Sequence, residues 1–354
     1  MVEEYFKDKN VLITGGLGFI GSNIAHRLAR LKPSPKKITI VDSCIKGLGA
    51  NVFNIKGIEH AIEEMYLGQN CDLRNTSKIE RLVSGIDCIF NLAGSVSHSG
   101  SEEDPECDRA INYDSHQSLI KACKLAAKET NRQIKIVFAG TRDQYGKVPK
   151  DKLPVDESQI VLETTDPQGI HKYMAELFHL HNNKQGLETV SLRLTNIYGP
   201  RQQMVDPSRG FVPWYIRQAI DNKPLEIWGN GKFLRDIVFV DDAVSAFMLA
   251  MSSPITSGKA YNVGSFIRYD AILEDKCNNV VHVSDVANMV VDIAERGFIE
   301  YKEYPENKKL LEPGDFCANA TKLYNDVGWH PKIGPKEGLR RTIDFYRKNK
   351  VYYW

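Results

Sequence analysis

Three glycines, Gly15, Gly18 and Gly21, stand between the apolar run Val11-Leu12-Ile13-Thr14 and a helical pattern that starts at Ile20. Glycines at this spacing between a strand and a helix constrain the fold more than any other feature of the chain. Gly15 permits a tight turn, Gly18 lets a pyrophosphate approach the backbone, and Gly21 lets the helix pack closely on the strand. The helix N-terminus, entered through Phe19 and Ile20, presents N–H groups and a positive dipole end to that anion. A second apolar run ends in Val41-Asp42, about the separation at which a carboxylate meets the ribose hydroxyls of a dinucleotide and repels a 2′-phosphate. Gly15, Gly18, Phe19, Ile20, Gly21 and Asp42 are therefore expected to cradle NAD in preference to NADP.

Short β-branched runs alternate with helical patterns through the first half: strands near 11–14, 38–42, 88–92, 134–139 and 189–194, helices near 20–31, 79–84, 113–129 and 169–182. That alternation predicts an α/β, Rossmann-type, doubly wound parallel sheet. Continuous apolar strands of this kind suit a sheet covered on both faces. Further on, the pattern predicts a helix over 211–222, strands over 225–228 and 236–240, and a helix over 242–251. The stretch 265–279 has mixed charge and no periodicity, and reads as a surface loop or insertion. With 354 residues, the chain has room for one large body and a smaller lobe. The absence of an obvious linker implies that this C-terminal substrate-binding lobe is interleaved with the body, which is expected over 1–193 plus 236–264 and the lobe over 194–235 plus 265–354.

Lys plus Arg (46) nearly cancel Asp plus Glu (45), so no global field recruits nucleic acid or an anionic membrane. No apolar run reaches the ~18–20 residues of a membrane span. Seven cysteines are scattered singly, which speaks against a zinc site or a disulfide framework. A soluble, cytoplasmic protein with reduced, mostly buried thiols and no metal is expected.

The motif Thr14-Gly15-Gly16-Leu17-Gly18-Phe19-Ile20-Gly21 resembles the TGGxGFIG opening of the extended short-chain dehydrogenases, the NAD-dependent sugar-nucleotide epimerases and dehydratases related to UDP-glucose 4-epimerase. The likeness continues nearly to the C-terminus. Cys71-Asp72-Leu73-Arg74 matches the turn in which Asp72 and Leu73 would hold adenine, although Asp72 could instead only cap a helix. Asn91-Leu92-Ala93-Gly94 resembles the family's HLAA strand end beside the cofactor, with Gly94 replacing alanine. Thr141-Arg142-Asp143-Gln144-Tyr145-Gly146 resembles the SSxxVYG or STDEVYG segment, where Thr141 takes the position of the hydroxyl that binds the reacting sugar oxygen.

Pro167-Gln168-Gly169-Ile170-His171-Lys172 resembles PYGxSK, with Lys172 in register and Gln168 in place of the proton-moving tyrosine. An amide donates and accepts hydrogen bonds but takes no proton near neutrality. The resemblance leaves His171, on a neighbouring part of the same helical face, as the first candidate base, or else a histidine that only packs. Asp143 coincides with the base of the dehydratase pattern, but its partner acid is replaced by Arg142, which disfavours 4,6-dehydration. Tyr145 is expected to be structural. Gln168-Gly169-Ile170-His171-Lys172 and Leu92-Ala93-Gly94-Ser95-Val96-Ser97-His98 also resemble a group of epimerase-like chains that share the missing tyrosine.

Leu192 to Arg201 matches LRxxNxYGP, which makes Asn196 the leading substrate residue, with Arg193 expected as a fold ion pair and Tyr198 as a packed corner. Arg235, within an RDFxYVxD-like segment, would reach a substrate phosphate. Val212 would flank the nucleotide base, and Arg201, Lys232 or Arg209 would compensate for Glu312, which replaces the arginine of an RPGD motif. The resemblance thus implies an NAD-dependent sugar-nucleotide epimerase, acting at C4 through a transient ketone in glycan-precursor biosynthesis. A 4,6-dehydratase or 4-dehydrogenase is the first alternative, and a non-catalytic NAD-binding sensor or scaffold the second. Helices 113–129 and 169–182 resemble the pair that forms a four-helix homodimer interface in the family.

Overall fold

The apolar runs of the first half become the strands β1 (Asn10–Thr14), β2 (Lys37–Asp42), β3 (Glu64–Leu67), β4 (Cys88–Asn91), β5 (Lys135–Thr141) and β6 (Glu188–Leu194) of a seven-stranded sheet. The computed structural model describes residues 2–74, 76–159, 166–265, 279–304, 312 and 314–354. The 265–279 stretch expected as a loop or insertion therefore lies outside the described residues, apart from its two ends. Strand order is β3-β2-β1-β4-β5-β6 followed by the strand Lys259–Val263. The pairings β1–β2, β2–β3, β1–β4 and β4–β5 are all parallel. The order reverses between β1 and β4, so the carboxyl ends of these two strands border the crevice in which a doubly wound sheet binds its ligand.

Helices α1 (Val2–Phe6), α2 (Phe19–Ala29), α3 (Thr76–Val83), α4 (His98–Glu103), α5 (Pro105–Arg109), α6 (Ser115–Thr130) and α7 (Pro167–Asn182) accompany this sheet, with α9 further along at Val240–Ser252 after α8 (Phe211–Ile220). Val11, Leu12, Ile13, Ile89, Phe90, Ile136 and Val137 are buried, as strands covered on both faces require. Each such side chain contributes about 1.5–3 kcal/mol on leaving water. Residues 110–114 form one π-helical turn between α5 and α6, and this wider turn carries Asn112.

Two compact units emerge: 1–141, 167–193 and 244–261 in the first, and 142–166, 194–243 and 262–354 in the second. Relative to the sequence expectation, 142–166 and 236–243 group with the lobe. Ladder bonds explain both cases. Strand β9 (Leu234–Phe239) runs parallel to β7 (Asn196–Tyr198) and antiparallel to the strand Val280–His282. Val155 exchanges backbone hydrogen bonds with Cys317 and Asn319, at 2.9 and 2.8 Å. The second unit also contains a parallel pair, β8 (Pro224–Trp228) with the strand Phe298–Lys302.

The described cysteines are all free thiols. Cys88, Cys123 and Cys317 are buried, but Cys44 and Cys107 are exposed and Cys71 is half-buried, so burial is less general than composition suggests. Among the described residues no helix is long and apolar enough to cross a membrane.

Candidate active site

In the first unit the glycine loop is shaped by what its missing side chains make room for. Gly15 has φ +63°, and a Cβ there would press on the backbone of Leu92 and Ala93 at 3.0 Å. At Gly21 a Cβ would collide with the carbonyl oxygen of Gly15. Gly18 is the N-cap of α2, in extended conformation and without a side-chain cap, so its helix N-terminus is open to an anion. Asp42 accepts from the backbone N–H of Leu17 at 3.1 Å and of Cys44 at 2.9 Å. Burial raises its pKa, and these two hydrogen bonds oppose that shift. The carboxylate thus sits at the end of β2, fastened to the loop that follows β1.

The end of β4 is tied to β1 by side chains. Thr14 Oγ1 accepts from Leu92 N at 3.0 Å and Ala93 N at 3.1 Å, and donates to Asn91 Oδ1 at 2.9 Å. Asn91 Nδ2 in turn donates to His116 Nδ1 at 2.9 Å and His179 Nε2 at 3.1 Å. His179 Nδ1 donates to the Ala175 carbonyl at 2.7 Å, which fixes its tautomer. Both imidazoles are fully buried, and burial lowers His179 to about 4 and His116 well below its ordinary value. The network works only with both rings neutral, since Asn91 offers each of them a donor.

Lys172 is buried on the face of α7 that also carries Gln168. Its ammonium donates to the Ala139 carbonyl at 3.2 Å and lies 5.0 Å from the centre of the Phe138 ring. Burial lowers its pKa to about 8, with Asp108 opposing. A Cβ on Gly94 would fall 2.7 Å from Lys172 Nζ and 2.9 Å from Asn112 Oδ1, so the alanine of the family pattern would collide with groups that pack directly on the glycine. Gln168 is buried, and its Oε1 has no partner among the described residues. An orphaned acceptor and an amine on one helical face fit a ligand rich in hydroxyl groups, such as the ribose of NAD.

His171 points elsewhere on the helix, to Asp108 Oδ1, to which its Nδ1 donates at 2.8 Å. Asp108 Oδ2 accepts from Asn112 Nδ2 at 2.9 Å, and Asn112 holds both the N–H and the carbonyl of Ser95. Asp108 and Asn112 escaped the sequence reading. Their signal was faint: two polar residues four apart, one in α5 and the other within the π turn. Asp72 accepts from Arg74 N and the Arg74 guanidinium; burial would raise its pKa, but these bonds lower it overall. Leu73 is buried beside it. Thr141 ends β5, half-buried.

The second unit holds the remaining candidates. Arg142 and Asp143 open a short 3-10 turn and are both nearly buried. Tyr145 is wholly buried, donates to Asn262 Oδ1 at 2.7 Å and packs against Phe316, which gives its phenol a structural task. Asn196 opens β7, and its buried Oδ1 has no partner among the described residues. Arg201 adopts φ +73° with its guanidinium over Phe345, and Val212 is buried at the start of α8. Arg235 is already engaged: it donates to the carbonyls of Leu234 and Gly314, at 2.9 and 2.7 Å, and to Glu312 at 2.5 Å. Tyr304 holds the other Glu312 oxygen at 2.6 Å. The expected phosphate ligand is therefore neutralised by the residue that replaces the motif's second arginine. Tyr198 is buried against Phe239. In the first unit, Arg193 forms a buried ion pair with Glu176.

Residues 11–264 match the model of the NAD dependent epimerase/dehydratase family. The chain is 27% identical to a CDP-paratose 2-epimerase of Salmonella typhi, with 95% of this chain and 98% of that protein covered. It is 28% identical to a UDP-N-acetyl-alpha-D-glucosaminuronate decarboxylase of Bacillus cytotoxicus, over 96% and 98%. Among solved structures, a UDP-N-acetylglucosamine 4-epimerase of Methanobrevibacter ruminantium, in complex with UDP-N-acetylmuramic acid, superposes with a TM-score of 0.81 at 25% identity, over 97% of this chain and 99% of that one.

Proposed function

The chain belongs to the NAD-dependent epimerase/dehydratase family, and from that premise we propose that it is a sugar-nucleotide epimerase that inverts C4 through a transient 4-keto sugar. The carrying observation is the face of α7, where the buried Lys172 and the orphaned Gln168 amide stand together, with the Lys172 amine packed against Gly94. When bound, NAD supplies a reversible hydride acceptor. In this reading Gly15, Gly18, Phe19, Ile20, Gly21, Asp42, Asp72, Leu73, Leu92, Ala93 and Gly94 hold the cofactor. Lys172 orients its ribose and adds positive charge to the site.

Thr141 holds the reacting oxygen, and Gln168 donates a hydrogen bond without taking a proton. His171 is the first candidate to carry that proton. Donation from Nδ1 to Asp108 leaves Nε2 to accept, as in any His–carboxylate pair in which the acid fixes the tautomer. Asp143, two residues past Thr141, is the second candidate. On the substrate side Asn196, Arg201 and Val212 are assigned to the nucleotide and sugar, and Arg235 only if Glu312 lets it go. Relatives include named epimerases and named 4,6-dehydratases alike, so the preference for isomerisation rests on the residues that follow Thr141. In the dehydratase alternative Arg142 would stand where a second acid is needed.

The decisive experiment supplies NAD and a panel of sugar nucleotides deuterated at C4. Inverted product that keeps its deuterium shows that the hydride was removed and returned. A protein that binds NAD but turns over no member of the panel would instead be a sensor. A homodimer is proposed as well: Ile170, Met174 and Leu177 on α7 and Leu125 on α6 expose apolar surface of the kind a second copy covers. Sedimentation of the wild type against Leu177→Glu tests it. A cytoplasmic location accords with NAD and sugar nucleotides as ligands.

A further inference from the structure

One buried carboxylate of the first unit meets two side chains of α7. Asp108 lies in the short helix α5, which Pro105 opens and Asp104 caps through the N–H of Cys107 at 2.9 Å. Its side chain is only 3% exposed, so its charge has to be met within the fold. Each oxygen has its own donor: Oδ1 accepts from His171 Nδ1 at 2.8 Å and Oδ2 from Asn112 Nδ2 at 2.9 Å. Asn112 is fixed in turn by Ser95, whose N–H it accepts at 3.0 Å and to whose carbonyl it donates at 3.1 Å. The carboxylate is thus held from both sides, with one oxygen reserved for His171.

A histidine that is to take up a proton starts neutral, and a neutral imidazole and an amide leave the charge of Asp108 without a counter-ion in contact. The cation that meets it is Lys172, the residue after His171. Burial brings the Lys172 ammonium down to about 8, and Asp108 is the charge that opposes the fall. The other titratable groups around this amine lend it no negative charge. His116 from α6 and His179 on α7 are neutral, Glu176 is taken up by Arg193, and β5 offers the Ala139 carbonyl and the Phe138 ring.

We propose that Asp108 is a positioning residue with two tasks: it fixes His171 in the tautomer that leaves Nε2 free to take a proton, and its charge keeps Lys172 an ammonium during that transfer. This deepens the epimerase reading above, on which the part of His171 as carrier rests. The first task follows from geometry. An ionised carboxylate only accepts, so the hydrogen belongs to Nδ1, and among the described residues nothing occupies Nε2. The second follows from sharing. The step moves one proton from the sugar hydroxyl to Nε2, which creates a second cation beside Lys172, and a carboxylate in reach of both favours the charged form of each.

The test begins with the protein free of sugar nucleotide. Nitrogen-15 NMR of the imidazoles, with His171 assigned by its loss in His171→Gln, is expected to show the hydrogen on Nδ1 near neutral pH. A hydrogen on Nε2, or an even mixture, overturns the inference in the wild type alone, whether or not an Asp108 variant folds. In Asp108→Asn the Asn112 donor claims the oxygen of the new amide, so its NH2 group faces Nδ1 and the hydrogen should move to Nε2. Turnover of any sugar nucleotide the wild type accepts should then fall by on the order of 10³- to 10⁴-fold in kcat, with KM little changed. Lys172, followed through its Cε signal, should lose its proton at lower pH in Asp108→Asn than in the wild type, and Asp108→Glu should restore the tautomer and part of the turnover. A lysine titration that does not move overturns the shared role. If no sugar nucleotide turns over, the epimerase reading fails while the tautomer and the lysine titration still decide this inference. A wild-type hydrogen on Nε2 sinks the inference and leaves that reading with Asp143 as the carrier.

Discussion

The cofactor end of the first unit and the charged cluster of the second treat buried polar groups in opposite ways. Around β1 and β4, polar groups serve one another: Thr14 holds two backbone N–H groups, Asn91 holds Thr14, and two neutral histidines hold Asn91. In the second unit one arginine is consumed by Glu312 while another leaves its donors to solvent. Both regions match sequence motifs equally well. The difference teaches that a motif marks a position in the fold, whereas the neighbours of a side chain decide whether it remains available to a ligand. In a pre-organised site the scaffold groups are satisfied first and the ligand-facing groups are left wanting.

The contrast breaks most visibly at Lys172. Lys172→Ala should lower turnover by about 10³-fold or more and weaken NAD binding, since this amine belongs to the ligand-facing set. Unchanged kinetics in the C4-label assay would remove α7 from the site. Glu176→Gln probes the opposite set. It strands Arg193 in the interior, and the midpoint of urea unfolding should report a loss of about 3–5 kcal/mol; a loss below 1 kcal/mol would show that the pair is not locked.

Acid separates the two regions by a third route. His179 is held near 4 in the fold against ~6.5 when unfolded, and His116 is shifted in the same direction. The unfolded chain therefore binds protons that the native state refuses between about pH 6.5 and 4, so stability present above 6.5 is lost as pH falls through that window. At pH 5 His179 alone accounts for roughly 2 kcal/mol. His179→Gln should flatten the fall in melting temperature between pH 7 and 5, and an unaltered slope would place the acid sensitivity elsewhere. The smallest effect is expected at Glu312→Gln. It weakens the hold on Arg235 and should tighten UDP binding by about 3- to 10-fold; no change would mean that Arg235 never meets the substrate. His171→Phe complements these changes, since loss of the acidic limb of the pH–rate profile identifies the proton carrier and retention of that limb excludes it.

Much of this was legible from residues alone. The glycine spacing, the acid ending β2 and the alternating apolar runs specify the sheet and its ligand edge, because turns, helix starts and strand periodicity depend on residues within a few positions of each other. Edge elements were not legible. Glu64–Leu67 forms β3 with three of its four residues exposed, so no buried face imprinted a pattern on it. The unit boundary near 142 and 236 also went unseen, because ladders joining 155 with 317 and 236 with 280 determine it.

The sequence by itself determined the family, the glycine turn between β1 and α2, the absence of the usual phenol at Gln168 and the register of Lys172 on its helix. Only the tertiary structure decided that His171 is turned towards Asp108, that Arg235 is tied to Glu312 and that Arg142 has donors to spare. These partners lie 63 and 77 residues apart in the first two cases, and in the third the nearest carboxylate among the described residues, Asp143, stands 3.5 Å away. Local sequence encodes backbone conformation, but the state of a buried charge is set by whichever groups the fold brings within ~4–6 Å of it.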